Sequence, residues 1–142
     1  MLELKRIVIA DDSFTARMVI RRCLEMIGLE DAEIVEAANG KEALTKVKQA
    51  PTDLLLTDLN MPVMDGDTLI KWVKASPKLF ELPVIVITSA GNPAREKSLL
   101  ASGAAVVIQK PLSPAKLTES LKIIEQGGKK DVGSVEKERP WA

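Results

Sequence analysis

Polar residues that could bind a cation or a phosphate follow four hydrophobic runs of the chain. Asp11 and Asp12 come after IVIA, Asp58 after LLLT, Thr88 after VIVI and Lys110 after VVIQ. If these runs are neighbouring parallel strands of one α/β sheet, their carboxyl ends meet at one edge, where such sheets bind ligands. Three carboxylates, a hydroxyl and an ammonium would then share one pocket. The sequence therefore predicts a cation site that contains a carboxylate able to accept a phosphoryl group.

The acidic residues are typical of a magnesium site. Adjacent carboxylates repel each other and a third one unless a divalent cation neutralises them. Mg²⁺ prefers oxygen ligands, so Asp11, Asp12 and Asp58 are predicted to bind it, together with a backbone carbonyl near Asn60. The alternative is that the Asp pair only caps the first helix, because Asp is a common N-cap residue. The chain has no histidine, which excludes imidazole as a metal ligand, a base or a phosphoryl carrier.

Asp58 is the predicted nucleophile, because a carboxylate can form an aspartyl phosphate. Lys110 would neutralise the transferring group from one side, and the hydroxyl of Thr88 would hydrogen-bond a phosphoryl oxygen. A Thr that ends a strand, or a Lys before a Pro, is by itself more often ordinary loop surface. The prediction therefore depends on their joint placement. The bond before Pro111 can be cis at modest cost, and that isomer could aim Lys110 inward.

The elements that would position these residues alternate between strand and helix. Aliphatic runs predict strands over residues 5–10, 34–37, 54–57, 84–87 and 105–109. Each predicted strand is followed by a segment with the apolar stripe or the cap of a helix. Glu36 interrupts the second strand, which favours an edge position. Five such repeats predict an α/β fold with a doubly wound, five-stranded parallel sheet. The flavodoxin-type order 2-1-3-4-5 is favoured over the Rossmann order, because it places the four strands with polar ends side by side.

Two later helices and the end of the chain have distinct patterns. Asn92 and Pro93 begin a helix to about residue 102 that has a weak apolar face, and Ser113 begins the last helix. After Gln126 the sequence has no periodicity and many glycine and charged residues. We expect one domain over 1–126 and a flexible tail over 127–142 that is too short for an output domain.

Composition narrows the function classes. The length of 142 residues suits one domain, and Lys+Arg and Asp+Glu number 20 each, so no basic surface for direct nucleic-acid binding is predicted. No apolar run approaches the roughly 20 residues needed to span a bilayer, and the first residues do not form a signal peptide. We expect a cytoplasmic protein without membrane insertion. The single Cys23 lies on an apolar helical stripe and is expected in the core.

With these motifs in place, the chain resembles the receiver domain of two-component response regulators. The matching segments are IVIADDSFTARMVIRR, TDLNMPVMDG, VIVITSA and VIQKPL, in the same order and on the expected elements. They span residues 5 to about 126. CheY, a member of this family, has the 2-1-3-4-5 order, so the resemblance and the predicted CheY-like order are not independent.

The resemblance implies a role for each residue of the site. Asp58 would be the phosphoacceptor, and Asp11 and Asp12 the acidic pair that binds the metal ion. Asn60 would add a backbone carbonyl ligand, and Thr88 would supply the switch hydroxyl. Lys110 would pair with the phosphate and precede a cis bond to Pro111. It also implies a stand-alone phosphoprotein that takes a phosphoryl group from a histidine kinase or phosphotransfer protein with Mg²⁺. The signal would pass to a downstream protein through the fourth helix, fifth strand and last helix. Catalysis would be limited to self-phosphotransfer and slow autodephosphorylation.

One departure from the family concerns the switch. Three residues before the lysine the family often has Tyr or Phe, whose ring turns inward, whereas this chain has Val107. We therefore expect the helix after Asn92 and the loop 89–92 to move instead, since few buried contacts hold them.

Two alternatives remain for the function. A phosphohydrolase of the haloacid dehalogenase type also uses an aspartate nucleophile, but it has a DxD pair after its first strand, whereas Asp58 follows the third. The chain also offers no extra cap segment for a substrate. A receiver that acts only as a scaffold is the milder alternative, and the intact set of five polar residues argues against it.

Overall fold

Strands and helices alternate along the whole described chain. The computed structural model describes residues 3–127 and 130–132 of the protein. Its elements are β1 (Arg6–Ala10), α1 (Phe14–Met26), β2 (Glu33–Ala37), α2 (Gly40–Gln49), β3 (Leu54–Thr57), α3 (Gly66–Ala75), β4 (Val84–Thr88), α4 (Pro93–Ser102), β5 (Val106–Gln109), α5 (Pro114–Glu125) and β6 (Lys130–Val132). All strand pairs are parallel, in the order β2-β1-β3-β4-β5-β6. The predicted order 2-1-3-4-5 is therefore confirmed.

Helices cover both faces of the sheet, which explains the continuous aliphatic strands. Side chains of a strand point alternately to its two faces, so each strand contributes to two cores. On one face Ile7 and Ile9 pack with Leu24 of α1 and Leu117 of α5. The opposite face packs against α2, α3 and α4 through Val8, Leu55, Val86, Val107, Ala43, Leu69 and Leu99. Cys23 is buried in the first core, as predicted, and burial raises the pKa of its thiol.

The helix caps predicted at Asn92 and Ser113 are present, and Asn39 is a third cap of the same kind. The side chains of Asn39, Asn92 and Ser113 each accept a hydrogen bond from the backbone N–H three residues later. Ser13 caps α1 in the same way, so the Asp pair that follows β1 is not its N-cap. Each helix therefore begins immediately after the loop that follows a strand, at the carboxyl edge of the sheet.

The position of Glu36 at an edge is also confirmed. β2 pairs only with β1 among the described strands, and the Glu36 carboxylate faces α1. It accepts hydrogen bonds from Arg17 at 2.8 Å and from Arg21 at 3.0 Å. The charge that interrupts the strand therefore ties the edge of the sheet to α1.

A sixth strand lies where the sequence predicts only a tail. Residues 130–132 pair in parallel with residues 106–108 of β5, so the described sheet has six strands and not five. Without this segment the outer edge of β5 would present unpaired N–H and C=O groups. Three residues, two of them charged, give no hydrophobic run from which a strand could be predicted. The other residues of the predicted tail, 128–129 and 133–142, lie outside the described residues.

No helix in the described part of the chain is long and apolar enough to cross a membrane.

Candidate functional site

The sheet brings the ends of β1 and β3 side by side. The backbone N–H of Asp58 donates to the carbonyl of Ala10 at 2.9 Å, and that of Asp11 donates to the carbonyl of Ala37 at 3.1 Å. These bonds continue the strand ladder one residue beyond each strand. The two carboxylates therefore leave the sheet next to each other at its carboxyl edge.

Three carboxylates and one ammonium meet there. One carboxylate oxygen from each of Asp11, Asp12 and Asp58 lies within 4.8 Å of the other two. Nζ of Lys110 lies 3.2 Å from Oδ2 of Asp11 and 3.5 Å from Oδ2 of Asp58. The side chain of Asp11 is only 1% exposed and that of Asp58 only 12%, whereas Asp12 is exposed. The structure thus brings together four of the side chains that the sequence singles out.

The other oxygen of each buried carboxylate is held by the backbone. Oδ1 of Asp11 accepts a hydrogen bond from the N–H of Ser13 at 2.9 Å. Oδ1 of Asp58 accepts one from the N–H of Leu59 at 2.8 Å. Both Oδ2 atoms therefore turn toward Lys110, and the carboxylates have fixed orientations before any ligand binds.

The charges in the site do not balance. Three carboxylates face one ammonium, which leaves two negative charges in excess at neutral pH. Burial raises the pKa of Asp58, and the charge of Asp11 adds to this, while the hydrogen bond from Leu59 and the charge of Lys110 offset part of the rise. A hard divalent cation would remove the excess, and all the ligand atoms are oxygens, as Mg²⁺ prefers. The residues present therefore fit a magnesium ion.

Gly66 allows the loop after Asp58 to close on itself. A Cβ at this position would overlap the carbonyl oxygen of Asp58 and lie 2.9 Å from Cα of Leu59. The N–H of Gly66 donates to the carbonyl of Leu59 at 2.8 Å. The first residue of α3 thus packs directly on the backbone of the predicted acceptor.

Thr88 and Lys110 end neighbouring strands. Thr88 is fully buried, and its hydroxyl accepts a hydrogen bond from the N–H of Ala90 at 3.0 Å. Its carbonyl accepts one from the N–H of Lys110 at 2.9 Å. The bond between Lys110 and Pro111 is cis, as expected. Asn60 is exposed two residues after Asp58, and its role as a carbonyl ligand stays a prediction.

Sequence reasoning missed two residues beside the site. Glu96 of α4 is buried, and its carboxylate accepts a hydrogen bond from the side-chain amide of Gln109. Two weak signals could have indicated them. Gln109 ends an otherwise aliphatic strand, and Glu96 lies three residues before Leu99, on the face of α4 that is buried.

A surface depression lies away from these residues. It has a volume of about 800 Å³ and lies between the segments that lead into β3 and β4, at the opposite edge of the sheet. Its lining includes Pro51, Asp53 and Leu82 and none of the predicted site residues.

Comparison with known proteins agrees with this geometry. The sequence profile described as "Response regulator receiver domain" matches residues 7–122. The chain is 38% identical over 120 residues to chemotaxis protein CheY1 of Helicobacter pylori. The aligned part covers 84% of this chain and 95% of that protein. The structure of the chemotaxis response regulator CheY4 of Vibrio cholerae superposes with a TM-score of 0.74 and 30% identity, over 84% of this chain and 98% of that one.

A further solved structure is that of the isolated REC domain of RcsB from Salmonella enterica, determined in the presence of the phosphomimetic BeF₃⁻. It has a TM-score of 0.77 and 28% identity, over 95% of this chain and 98% of that one. The profile match covers most of the described chain. The chain therefore belongs to the response regulator receiver domain family.

Proposed function

We propose that Asp58 accepts a phosphoryl group from a phosphohistidine of a partner histidine kinase or phosphotransfer protein in the cytoplasm. The observation that supports this is the contact of Lys110 Nζ with the Oδ2 atoms of both Asp58 and Asp11. An ammonium at this point can neutralise an oxygen of a transferring phosphoryl group as that group approaches Asp58. In the transfer a carboxylate oxygen of Asp58 forms the new O–P bond, the N–P bond of the donor breaks, and the leaving imidazole takes up a proton.

Asp11, Asp12 and Asp58, with the carbonyl of Asn60, would hold Mg²⁺. An ion held there would supply positive charge to the carboxylates and to the phosphoryl oxygens. Asp11 is the buried member of the pair and Asp12 the exposed one, so Asp11 also orients Lys110. The chain offers no histidine that could act as a base on a further substrate. We expect its own catalysis to be limited to accepting the group and losing it slowly to water.

The signal would leave through the face formed by α4, β5 and α5. A phosphoryl group on Asp58 would attract the hydroxyl of Thr88, which accepts a hydrogen bond from the N–H of Ala90 in its own loop. α4 contributes just Glu96 and Leu99 as buried residues, so it is the helix that moves at least cost. β6 lies along the edge of β5 and contacts both helices. A downstream protein must therefore bind to α4 and α5 or displace β6.

Intact-mass spectrometry after incubation with acetyl phosphate and Mg²⁺ tests the acceptor. The wild type and the control variant Asp31→Asn, which changes an exposed carboxylate, are expected to gain one phosphoryl group. Asp58→Asn is expected to gain none. An equal gain in Asp58→Asn would place the acceptor at another residue and overturn the proposal.

A further inference from the structure

A buried polar contact joins α4 to β5. Nε2 of Gln109 donates a hydrogen bond to Oε1 of Glu96, and Glu96 is only 7% exposed. A buried carboxylate that loses its donor bears the full cost of desolvation, so it is driven toward water. The position of the first turns of α4 therefore depends on the presence of the Gln109 amide.

Gly91 lies against the same amide. A Cβ at position 91 would overlap Nε2 of Gln109, and the next nearest atom, its Cδ, would lie 2.8 Å away. The loop between β4 and α4 thus rests directly on the Gln109 side chain. A shift of this loop must move the amide or release it.

Thr88 controls that loop from its other end. Its hydroxyl accepts a hydrogen bond from the N–H of Ala90, the residue before Gly91. Thr88 and Gln109 are also direct partners in the register of β4 and β5. Both lie two residues beyond members of the same core, Val86 and Val107, so their side chains point to the α4 face of the sheet. Thr88, Gly91, Gln109 and Glu96 therefore form one continuous chain of contacts.

We propose that the Glu96–Gln109 hydrogen bond is the relay that couples the hydroxyl of Thr88 to the position of α4. When the hydroxyl turns toward Asp58, the N–H of Ala90 loses its acceptor and Gly91 moves on the Gln109 amide. The amide then leaves Glu96, whose carboxylate moves toward solvent with the start of α4. This inference depends on the proposed function for the trigger, and Glu96 and Gln109 act as positioning residues.

A second link of α4 provides a matched control. Arg95, next to Glu96, pairs with Asp67 of α3 through two hydrogen bonds, one of 3.0 Å to Oδ1 and one to Oδ2. This pair also holds α4, but its side-chain hydrogen bonds join α4 to α3 and not to β5. Asp67→Asn should loosen α4 without breaking the relay.

Hydrogen exchange of the full chain with Mg²⁺, with and without beryllofluoride as the phosphoryl mimic, tests the relay. In the wild type, in Asp67→Asn and in Glu96→Gln, the mimic is expected to change exchange over residues 89–102. Glu96→Gln belongs to this group because its amide oxygen can still accept from Gln109. In Gln109→Leu the change is expected to fall by about threefold or more, with faster exchange of α4 before the mimic is added.

The double variant Glu96→Leu/Gln109→Leu guards against misfolding. An apolar pair of similar size in place of a buried polar pair keeps the packing and leaves no unpaired group, so this variant should fold. It should bind Mg²⁺ as the wild type does, measured by calorimetry, yet show the same reduced response over residues 89–102. A full response in Gln109→Leu and in the double variant would overturn the relay alone. No response in the wild type would overturn the proposed function and the relay together.

Discussion

Nζ of Lys110 lies 3.2 Å from Oδ2 of Asp11, although the two residues are 99 positions apart in the chain. Asp11 is almost completely buried, and Lys110 is 28% exposed. The lysine thus acts as a resident cation that partly neutralises the carboxylates. Binding of a divalent cation at this site would replace part of the contact between Lys110 and Asp11 with metal coordination.

Lys110→Met removes this resident cation. We expect the free energy of unfolding without Mg²⁺ to fall by about 1–3 kcal/mol, because a buried carboxylate loses a charged donor. Saturating Mg²⁺ should then stabilise the variant more than it stabilises the wild type. Urea unfolding with and without Mg²⁺ measures both effects, with the exposed Lys122→Met as the control. Equal stability of Lys110→Met and the wild type without Mg²⁺ would show that the contact contributes nothing.

Asp12→Asn tests the metal site with little effect on folding. Asp12 is exposed, so we expect its substitution to change the free energy of unfolding by less than about 0.5 kcal/mol. Loss of one of three ligand charges should raise the Kd for Mg²⁺ by on the order of tenfold, which is about 1.4 kcal/mol. Titration calorimetry checks this against Asp31→Asn. Unchanged affinity would mean that Asp12 does not bind the ion.

The convergence of the site could be predicted because its signals are local. Each of the strands β1, β3, β4 and β5 contains an uninterrupted aliphatic run and has a polar residue at or just after its end. Parallel topology brings such ends to one edge. The different burial of Asp11 and Asp12 could not be predicted in this way. The two residues are identical and adjacent, and only the path of the backbone after β1 decides which one turns inward.

The contact between Glu96 and Gln109 could not be predicted for a related reason. The apolar pattern of α4 is weak, so it does not determine which face of the helix packs on the sheet. The contact exists because α4 crosses β5 at the level of Gln109, a tertiary relation that no local pattern encodes. β6 was missed because its pairing depends on the free edge of β5 and not on its own three residues.

Glu36→Gln tests the link between β2 and α1 through its pH dependence. Burial by itself would raise the pKa of Glu36. The hydrogen bonds and charges of Arg17 and Arg21 outweigh this effect, so the pKa lies below its usual value. Its contribution to stability is therefore present above the usual unfolded-state glutamate pKa of about 4.3 and is lost as the pH falls through the lower folded-state pKa. At pH 7 we expect the variant to be about 1 kcal/mol less stable.

Urea unfolding across a pH series measures this difference. The curves of Glu36→Gln and the wild type should converge in acid, while the exposed Glu30→Gln should follow the wild type throughout. A constant difference at every pH would mean that the substitution acts through packing and not through the charge.

Gly66→Ala tests the close packing of α3 on Asp58. The new Cβ would overlap the Asp58 carbonyl oxygen, and this neighbour is backbone that cannot rotate away. We expect a loss of about 2–3 kcal/mol in the free energy of unfolding, together with weaker Mg²⁺ binding because the loop after Asp58 must shift. Gly28→Ala is the control, because a Cβ at this position would meet no atom within 4 Å, while φ is +96°. This substitution therefore introduces backbone strain without steric overlap. Gly28→Ala should lower stability and leave Mg²⁺ affinity unchanged.

Val107→Tyr tests whether this chain has room for the aromatic ring that the family often carries. Val107 is completely buried in the core that also contains Leu99 and Ala104, and Gln109 lies two residues further on the same face. A ring at this position must displace α4 or push into the Glu96–Gln109 contact, so we expect a loss of about 1–3 kcal/mol from overpacking. Hydrogen exchange of α4 should also be faster before any phosphoryl mimic is added. Val19→Tyr, at a position 44% exposed on α1, is the control and should be near neutral. Equal stability of Val107→Tyr and the wild type, with α4 exchanging at the same rate, would show that space for a ring exists. It would also contradict the view that the polar pair ties α4 to β5.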